Sequence, residues 1–476
     1  MKSYLKQIFH TQLFSLLNIV AGFATVLILV KSLEKTEYAE YVLIQGFIGI
    51  CGMFLSQNLY AFTRMHIPGA SLEVQYGLLK TVLIVVLASY ASLVLLIELL
   101  NLDKGAWRLL EIRHDLRLQI LTMLAFELLN SEIMRYYIAV KKVFFKNYAQ
   151  LFQRVAVLVS SCALVLMPTF HLGDFLKLYI FGQLVVTLFL LKNINLTTFI
   201  KSKFSMVVIK KGYSVALPLL PSGLMSYALN YTDTLMISKY INKDFTAQYG
   251  FASQIIMIAM MMIGGSIVLT MFPYATQAHN EAEFDVRTYY FIRMMNLGLC
   301  FSILFYYFIV INSHTLISLL GLKQYKSVPA YLNILAIFPL VQFIYNVCSH
   351  HLQLHNVFKF QVYIALFVIL ENAVLNYIFI KSFGVMGAAL ASLLSFLTLS
   401  CLYLYVSLRK EPSLLKAFCS VLNPTIVYVA ATMLIVAVLF SYFEYNKYFK
   451  IVMVVDIVTF ICAYKLIFQL IKKAKK

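Results

Sequence analysis

Two arginines stand where arginines seldom occur. Arg135 and Arg154 lie inside apolar runs at about 116–140 and 148–167, on either side of a short link bearing Lys141, Lys142 and Lys146. At 1.5 Å of rise per residue, both sit roughly 9–12 Å beyond that link and at one level. A guanidinium fork binds phosphate oxygens two at a time, so the chemistry on offer is capture of an anionic phosphate group. Asn147, Gln150 and Arg154 follow a 3–4 spacing and share a helix stripe. The competing reading is that the long side chains reach back to a polar surface, or that Glu132, three residues before Arg135, pairs with it. Arg64 at the end of one apolar run and Arg293 at the start of another pose the same choice between phosphate contact and anchor. Lys31 and Lys239 pose it at the opposite ends of their runs.

Four acids are also embedded in apolar runs: Glu127, Asp233, Glu371 and Asp456. Glu127 lies about 20 Å by helix rise from the Lys141 link, too far for its side chain to reach water there. Such acids are candidates to carry a coupling ion, a proton foremost; the plainer alternative is a hydrogen-bonded structural carboxyl. Asn230 shares a helix face with Asp233, and Asn372 and Asn376 follow Glu371. His350, His351 and His355 close a later run, the last two at helical i, i+4 spacing. No carboxylate is near them in sequence, so no metal site is expected.

The elements that carry these residues follow from composition. The chain has 476 residues, 62% hydrophobic and 12% charged, with mean hydropathy +0.83. Soluble domains are nearer half apolar and a quarter charged. The solvent for this surface is lipid, where only helices and closed barrels satisfy the backbone. The apolar runs are about 20 residues long without strict alternation, which fits helices and not barrel strands. About fourteen spans are expected, starting with an uncleaved one near Leu13–Val30. The expected class is an all-α polytopic membrane protein. The seven cysteines are scattered and form no CxxC, so they read as small buried hydrophobes.

Net charge is +19. In a membrane protein this reflects cytoplasmic loops rich in Lys and Arg, not nucleic acid binding. The loops containing Lys142, Lys201, Lys210, Arg287, Arg409 and the tail Lys472–Lys476 place both termini in the cytoplasm. The segment Lys104 to Arg117 is an exception, with four cations on the opposite side.

A repeat is visible. Lys31, Lys35, Ala39 and Tyr41 recur at a constant offset of 208 as Lys239, Lys243, Ala247 and Tyr249, while Glu40 becomes Gln248. Both copies join one span to the next, and an even number of spans separates them. The expectation is two parallel six-span lobes, 1–205 and 206–411, followed by a terminal pair of spans and a basic tail at 412–476. Transporters place their substrate between such repeats. Gly384-Val-Met-Gly387-Ala-Ala-Leu-Ala adds small residues that permit close helix contact.

Nothing points to catalysis. The chain lacks GxxxxGK[ST], HExxH, GxSxG and an acid pair on a loop outside the spans, and no cofactor is expected.

Several stretches resemble the Wzx-type polysaccharide flippases. They are the hairpin from Leu29-Val-Lys31 to Tyr41; Ala216-Leu-Pro218-Leu-Leu-Pro-Ser-Gly with Asp233-Thr-Leu-Met-Ile-Ser-Lys239; and Asn372-Ala-Val-Leu-Asn376 with Gly384-Val-Met-Gly387. That family belongs to a superfamily with multidrug exporters and the peptidoglycan lipid flippase. The resemblance implies translocation of undecaprenyl-diphosphate-linked oligosaccharide, such as an O-antigen repeat unit, across the bacterial inner membrane. It also implies a monomer working beside a polysaccharide polymerase and chain-length machinery. The alternatives are a cation-coupled multidrug exporter of the same superfamily and, more remotely, a membrane polysaccharide polymerase.

Overall fold

In a hydrocarbon solvent each backbone N–H and C=O needs a partner within its own segment, which long helices provide. The computed structural model contains only helices among its described residues. Those residues are 2–412, except 57–58, 60–66, 68–69, 100–106, 108–110, 141, 168–170, 207 and 356. Arg64, Asp456, the terminal pair of spans and the basic tail lie outside them.

The helices are α1 (Lys2–Ser32), α2 (Lys35–Ser56), α3 (Leu72–Leu99), α4 (Arg117–Ala139), α5 (Val143–Leu166), α6 (Leu172–Leu191), α7 (Leu196–Lys201), α8 (Tyr213–Tyr240), α9 (Lys243–Met260), α10 (Ser266–Asn280), α11 (Phe284–Leu319), α12 (Val328–Leu335), α13 (Phe338–Leu354), α14 (Phe358–Phe383) and α15 (Val385–Lys410). Nine helices or helix pairs among the described residues are long and apolar enough to cross a membrane. A shorter apolar stretch, Leu16–Ser32, lies in α1. The helix α4 is not one of the nine, because Glu127, Glu132 and Arg135 crowd its second half. The helices α9 and α10 are joined by a π-helical turn, Met261–Gly265, a geometry often retained where function needs it.

The chain divides into two units. Unit 1 holds Met1–Phe251 and Ala365–Ala388; unit 2 holds Ala252–Ile364 and Ala389–Lys476. In unit 1, α1 packs along α5, α4 and α5 both pack on α6, and α2 packs on α8. Small residues set the approach. A Cβ on Gly182 of α6 would stand 2.9 Å from the Ala156 Cβ of α5. Gly46 and Gly49 of α2 make room for the rings of Tyr231 and Tyr227 of α8. In unit 2, Val268, Ala275, Phe291, Met294, Phe343 and Val347 form a core among α10, α11 and α13.

The expected role of the Gly384–Gly387 segment takes a specific form. Gly384 has φ +61°, a left-handed turn between α14 and α15, and a Cβ on Gly387 would fall 2.0 Å from the Phe379 carbonyl oxygen. Gly387→Leu therefore forces the turn apart and is expected to cost about 2 kcal/mol or more of stability. Gly22→Ala, where a Cβ meets nothing within 4 Å, should stay within about 1 kcal/mol of the parent. Thermal unfolding of detergent-purified variants, read by fluorescence size exclusion, checks the contrast; equal midpoints would contradict the close approach.

Candidate functional site

Glu127 sits at the centre of a polar network inside unit 1. Its Oε1 accepts from the Tyr179 hydroxyl at 2.5 Å. Gln153 Nε2 donates to Oε1 and Oε2 at 3.1 and 3.2 Å, and Gln183 Nε2 donates to Oε1 at 3.3 Å. Behind this layer, Asn130 Nδ2 donates to Gln183 Oε1 at 2.9 Å, and the Thr187 hydroxyl donates to Asn130 Oδ1 at 2.8 Å. The helices position these groups by simple spacing. Tyr179, Gln183 and Thr187 stand four apart on one face of α6, Glu127 and Asn130 three apart on α4, and Gln153 on α5. An ionised carboxyl only accepts, and three different donors converge on this one. Of the network, sequence reasoning found Glu127 alone. The signal it passed over was the Tyr179, Gln183, Thr187 stripe in an otherwise apolar span.

Arg154 follows Gln153 on α5. It is exposed, and no ion pair is formed by it among the described residues. It is near enough to Tyr41, Tyr179 and Tyr231 to act electrostatically on their hydroxyls. Arg135 is placed differently: it is paired with Glu132, which is 3% exposed. The neighbouring arginines that looked equivalent in sequence are thus one paired and one facing outward.

The other candidates separate in the same way. Asp233 is buried and accepts from the Tyr249 hydroxyl at 2.5 Å and from Asn376 Nδ2 at 3.0 Å, joining α8, α9 and α14. Glu371 is half-buried on α14. Arg293, in unit 2, donates to the Tyr289 hydroxyl at 2.6 Å and lies over that ring. Lys31 and Lys239 are exposed in the last turns of α1 and α8, Lys239 beside the Tyr240 ring at 5.9 Å.

The repeat copies meet in unit 1. Lys35 of the first hairpin pairs with Asp244 of the second at 2.7 Å, and Lys243 of the second pairs with Glu40 of the first at 2.6 Å. The bridges are reciprocal between repeat-related lysines. Glu40, 3% exposed, also accepts from Arg113 Nε at 2.8 Å. Arg113 reaches Glu37 at 3.6 Å, and His171 Nδ1 stands 3.5 Å from the same carboxyl. Repeat-matched positions share burial: Ala39 and Ala247 are both 0% exposed, and Glu40 and Gln248 are 3% and 4%. The Lys35–Asp244 pair is open to solvent and contributes at most about 1 kcal/mol. The buried Glu40 carboxylate weighs more, because removing its partners strands a charge in the interior. Sequence reasoning treated Glu40 only as a repeat marker and missed it as a hub. The out-of-place cations between Lys104 and Arg117 include Arg113, which the structure assigns to these acids.

Unit 2 contains a second charge cluster. Arg287 Nη2 bonds Glu411 Oε1 at 2.5 Å, and His351 Nε2 lies 2.9 Å from Glu411 Oε2. Burial alone would raise the Glu411 carboxyl, but the bonds from His351 and Arg287 hold it down at about 2. The expectation that no carboxylate accompanies the histidines is corrected here: Glu411 arrives from the end of a helix 56 residues further along.

The Glu127 network makes a direct prediction. Glu127→Leu removes the acceptor of Tyr179 and Gln183 and leaves Gln153 only the Gln183 Oε1 at 3.2 Å, and is expected to lower stability by about 1–3 kcal/mol, while Glu127→Gln, which keeps an acceptor, costs less than about 1. Chemical or thermal unfolding in detergent reads the difference; equal effects would deny the network a structural role.

Residues 218–378, about a third of the chain, match the MatE family. No curated protein matches the chain. Among solved structures, the chain is similar to an inward-facing multidrug resistance MATE family transporter of the MOP superfamily, at TM-score 0.69 and 14% identity over 84% of this chain and 96% of that one. It is similar to the lipid II flippase MurJ in an inward closed conformation, at TM-score 0.72 and 15% identity over 97% and 99% of the two chains. A MOP superfamily transporter from Pyrococcus furiosus, described as having a binding pocket of reverse polarity, aligns at TM-score 0.62 and 12% identity over 86% and 96%. The chain therefore has the fold shared by MATE transporters and the MurJ flippase.

Proposed function

We propose that this protein is a flippase for an undecaprenyl-diphosphate-linked oligosaccharide, such as an O-antigen repeat unit. It moves the headgroup from the cytoplasmic to the periplasmic leaflet of a bacterial inner membrane by alternating access, with ion coupling. The observation that carries this reading is Arg154: an exposed guanidinium within a membrane helix, without an ion-pair partner among the described residues, beside tyrosines and the Glu127 network. A cation left available at membrane depth is costly unless an anion visits it. A diphosphate supplies that anion, and the surrounding amide and phenol groups supply partners for sugar hydroxyls that hydrocarbon cannot. Arg64, Arg135, Arg293, Lys31 and Lys239 are secondary candidates for contact with the substrate. Glu127, Asp233, Glu371 and Asp456 are the coupling candidates. Glu127 leads them, because it is half-buried beside the proposed site, whereas Asp233 is sealed by Tyr249 and Asn376. The lobes 1–205 and 206–411, with 412–476 as an appended pair of spans and cytoplasmic tail, and monomeric action beside a polymerase and chain-length machinery, belong to this reading.

In that orientation the reciprocal lysine bridges face the periplasm and act as a latch that holds this end of unit 1 closed. Opening requires Glu40 to exchange Lys243 and Arg113 for water.

A second reading, a cation-coupled multidrug exporter, is favoured by the MatE match at residues 218–378. An unpaired arginine beside the site weighs against cationic drugs. A deletion strain separates the two. The flippase reading expects lipid-linked repeat units to accumulate inside and surface polymer to disappear with drug susceptibility unchanged; normal polymer with heightened drug sensitivity would reverse the choice.

Two variants test the mechanism. Arg154→Ala at normal protein level should lower polymer export about tenfold or more, the loss of roughly 1.4 kcal/mol of phosphate contact, while Arg154→Lys keeps part of it. Full export in the alanine variant would reduce Arg154 to an anchor. In a cysteine-less background carrying Ala247→Cys, Glu40→Gln should raise labelling by a membrane-impermeant maleimide about tenfold as the latch loosens. Unchanged labelling would show that the bridges do not govern opening.

A further inference from the structure

Glu411 brings together what the sequence keeps apart. His351 stands in the last turn of α13 and His355 just beyond it, while Glu411 follows the last residue of α15. Both Nε2 atoms converge on one carboxylate oxygen: His351 Nε2 lies 2.9 Å and His355 Nε2 3.4 Å from Glu411 Oε2. The three ligand atoms lie within 4.8 Å of one another. The neighbouring His350 takes no part, since its ring packs on Phe272 at 4.4 Å.

The other carboxylate oxygen is occupied. Arg287 Nη2 holds Oε1 at 2.5 Å, with the Thr288 hydroxyl at 3.5 Å. This fixes the carboxyl plane and points Oε2 at the imidazoles, the role a supporting shell plays around a metal. Arg287 Nη1 lies 2.7 Å from His279 Nδ1. Arginine only donates, so that nitrogen accepts, and the His279 proton is left on Nε2. His279 is therefore a prop for the guanidinium and not a fourth ligand.

We propose that His351, His355 and Glu411 form a binding site for a divalent transition-metal ion, which ties the end of α13 to the end of α15. Two imidazoles and one carboxylate suit zinc, cobalt or nickel; magnesium and calcium prefer all-oxygen shells. Three protein ligands leave one position for water. Two helix C-termini converge here, and their partial negative charge favours a cation. His351 is 1% exposed, whereas His355 is 23% exposed and gives an ion its way in. Arg287 already balances the Glu411 charge, so the ion adds charge to a neutral cluster. That makes the site reversible, suited to regulating how firmly unit 2 holds α13 to α15. The inference does not depend on which substrate the protein carries.

The test uses the untagged full-length protein in detergent, titrated with Co2+ alone. The expected result is one Co2+ per chain with an intense visible d–d band of low coordination number, displaced by one equivalent of Zn2+ and indifferent to millimolar Mg2+. His355→Ala should weaken Co2+ at least tenfold while its metal-free unfolding midpoint matches the parent. Zn2+ should raise the parent's midpoint by several degrees and leave the variant's unchanged. Absence of the band, or an identical titration in His355→Ala, would overturn the site. Should His355→Ala not fold, His355→Gln carries the same comparison.

Discussion

The interaction on which unit 1 depends is the grip on Glu40. One buried carboxylate takes Lys243 on one oxygen and Arg113 on the other. Such a charge is tolerated only while its partners stay, since a stranded carboxylate in the interior costs several kcal/mol. The consequence is geometric. Lys243 begins α9, Arg113 precedes α4, and Glu40 lies in the first turns of α2, so three helix starts are pinned to one point. Glu37, one turn earlier, adds Arg113 and accepts from the Leu172 backbone N–H at 3.3 Å, which brings in the start of α6. Gly46 and Gly49 then let α2 lie against Tyr231 and Tyr227 below that point. The polar tie and the close apolar contact run along the same helix.

Polar groups deeper in unit 1 divide by whether the protein completes their bonding. Asp233 has its donors from Tyr249 and Asn376 and is 2% exposed. Arg135 has Glu132. Each of these two charged groups has its partner inside the protein, as buried charges usually do. The Glu127 and Arg154 neighbourhood is different. The acid is furnished with donors but half-buried, and the arginine is exposed. In a soluble protein an exposed arginine calls for no explanation. In a helix surrounded by apolar residues such as Val155, Val157 and Val159 it does, and this asymmetry, rather than the number of charges, singles the neighbourhood out.

Much of the frame was legible in the sequence because lipid makes composition decisive. Long apolar runs become helices: the runs at about 116–140 and 148–167 are α4 (Arg117–Ala139) and α5 (Val143–Leu166). The repeat was legible from four identities, and its copies have matching burial. What the sequence could not reveal was partnership across distance. Lys35 and Lys243 looked like the ends of two separate hairpins, and their exchange of acids required the hairpins to meet. Arg113 looked like an exception to the charge rule for loops until Glu40 and Glu37 accounted for it. Glu411 sat in a basic link, 56 residues from His355 with two helices between them in the chain, and nothing local tied it to the histidines. Tyr179, Gln183 and Thr187 were readable as a stripe, but nothing local said that the stripe faced Glu127.

The same logic explains why the two charge clusters differ in kind. The Glu40 cluster sets three acids, Glu37, Glu40 and Asp244, against Lys35, Lys243 and Arg113, and among the described residues no imidazole pair converges there on one oxygen; it is closed by arginine and lysine, which keep their protons and do not serve as metal ligands. The Glu411 cluster assigns its single arginine to one oxygen and leaves the other to two imidazoles, which can exchange a proton for an ion. One arrangement can release only by opening to water. The other can change its hold by changing its occupant, without moving a helix. Under the proposed transport cycle, the first kind of contact suits an end of unit 1 that opens, and the second suits helix ends of unit 2 that stay together.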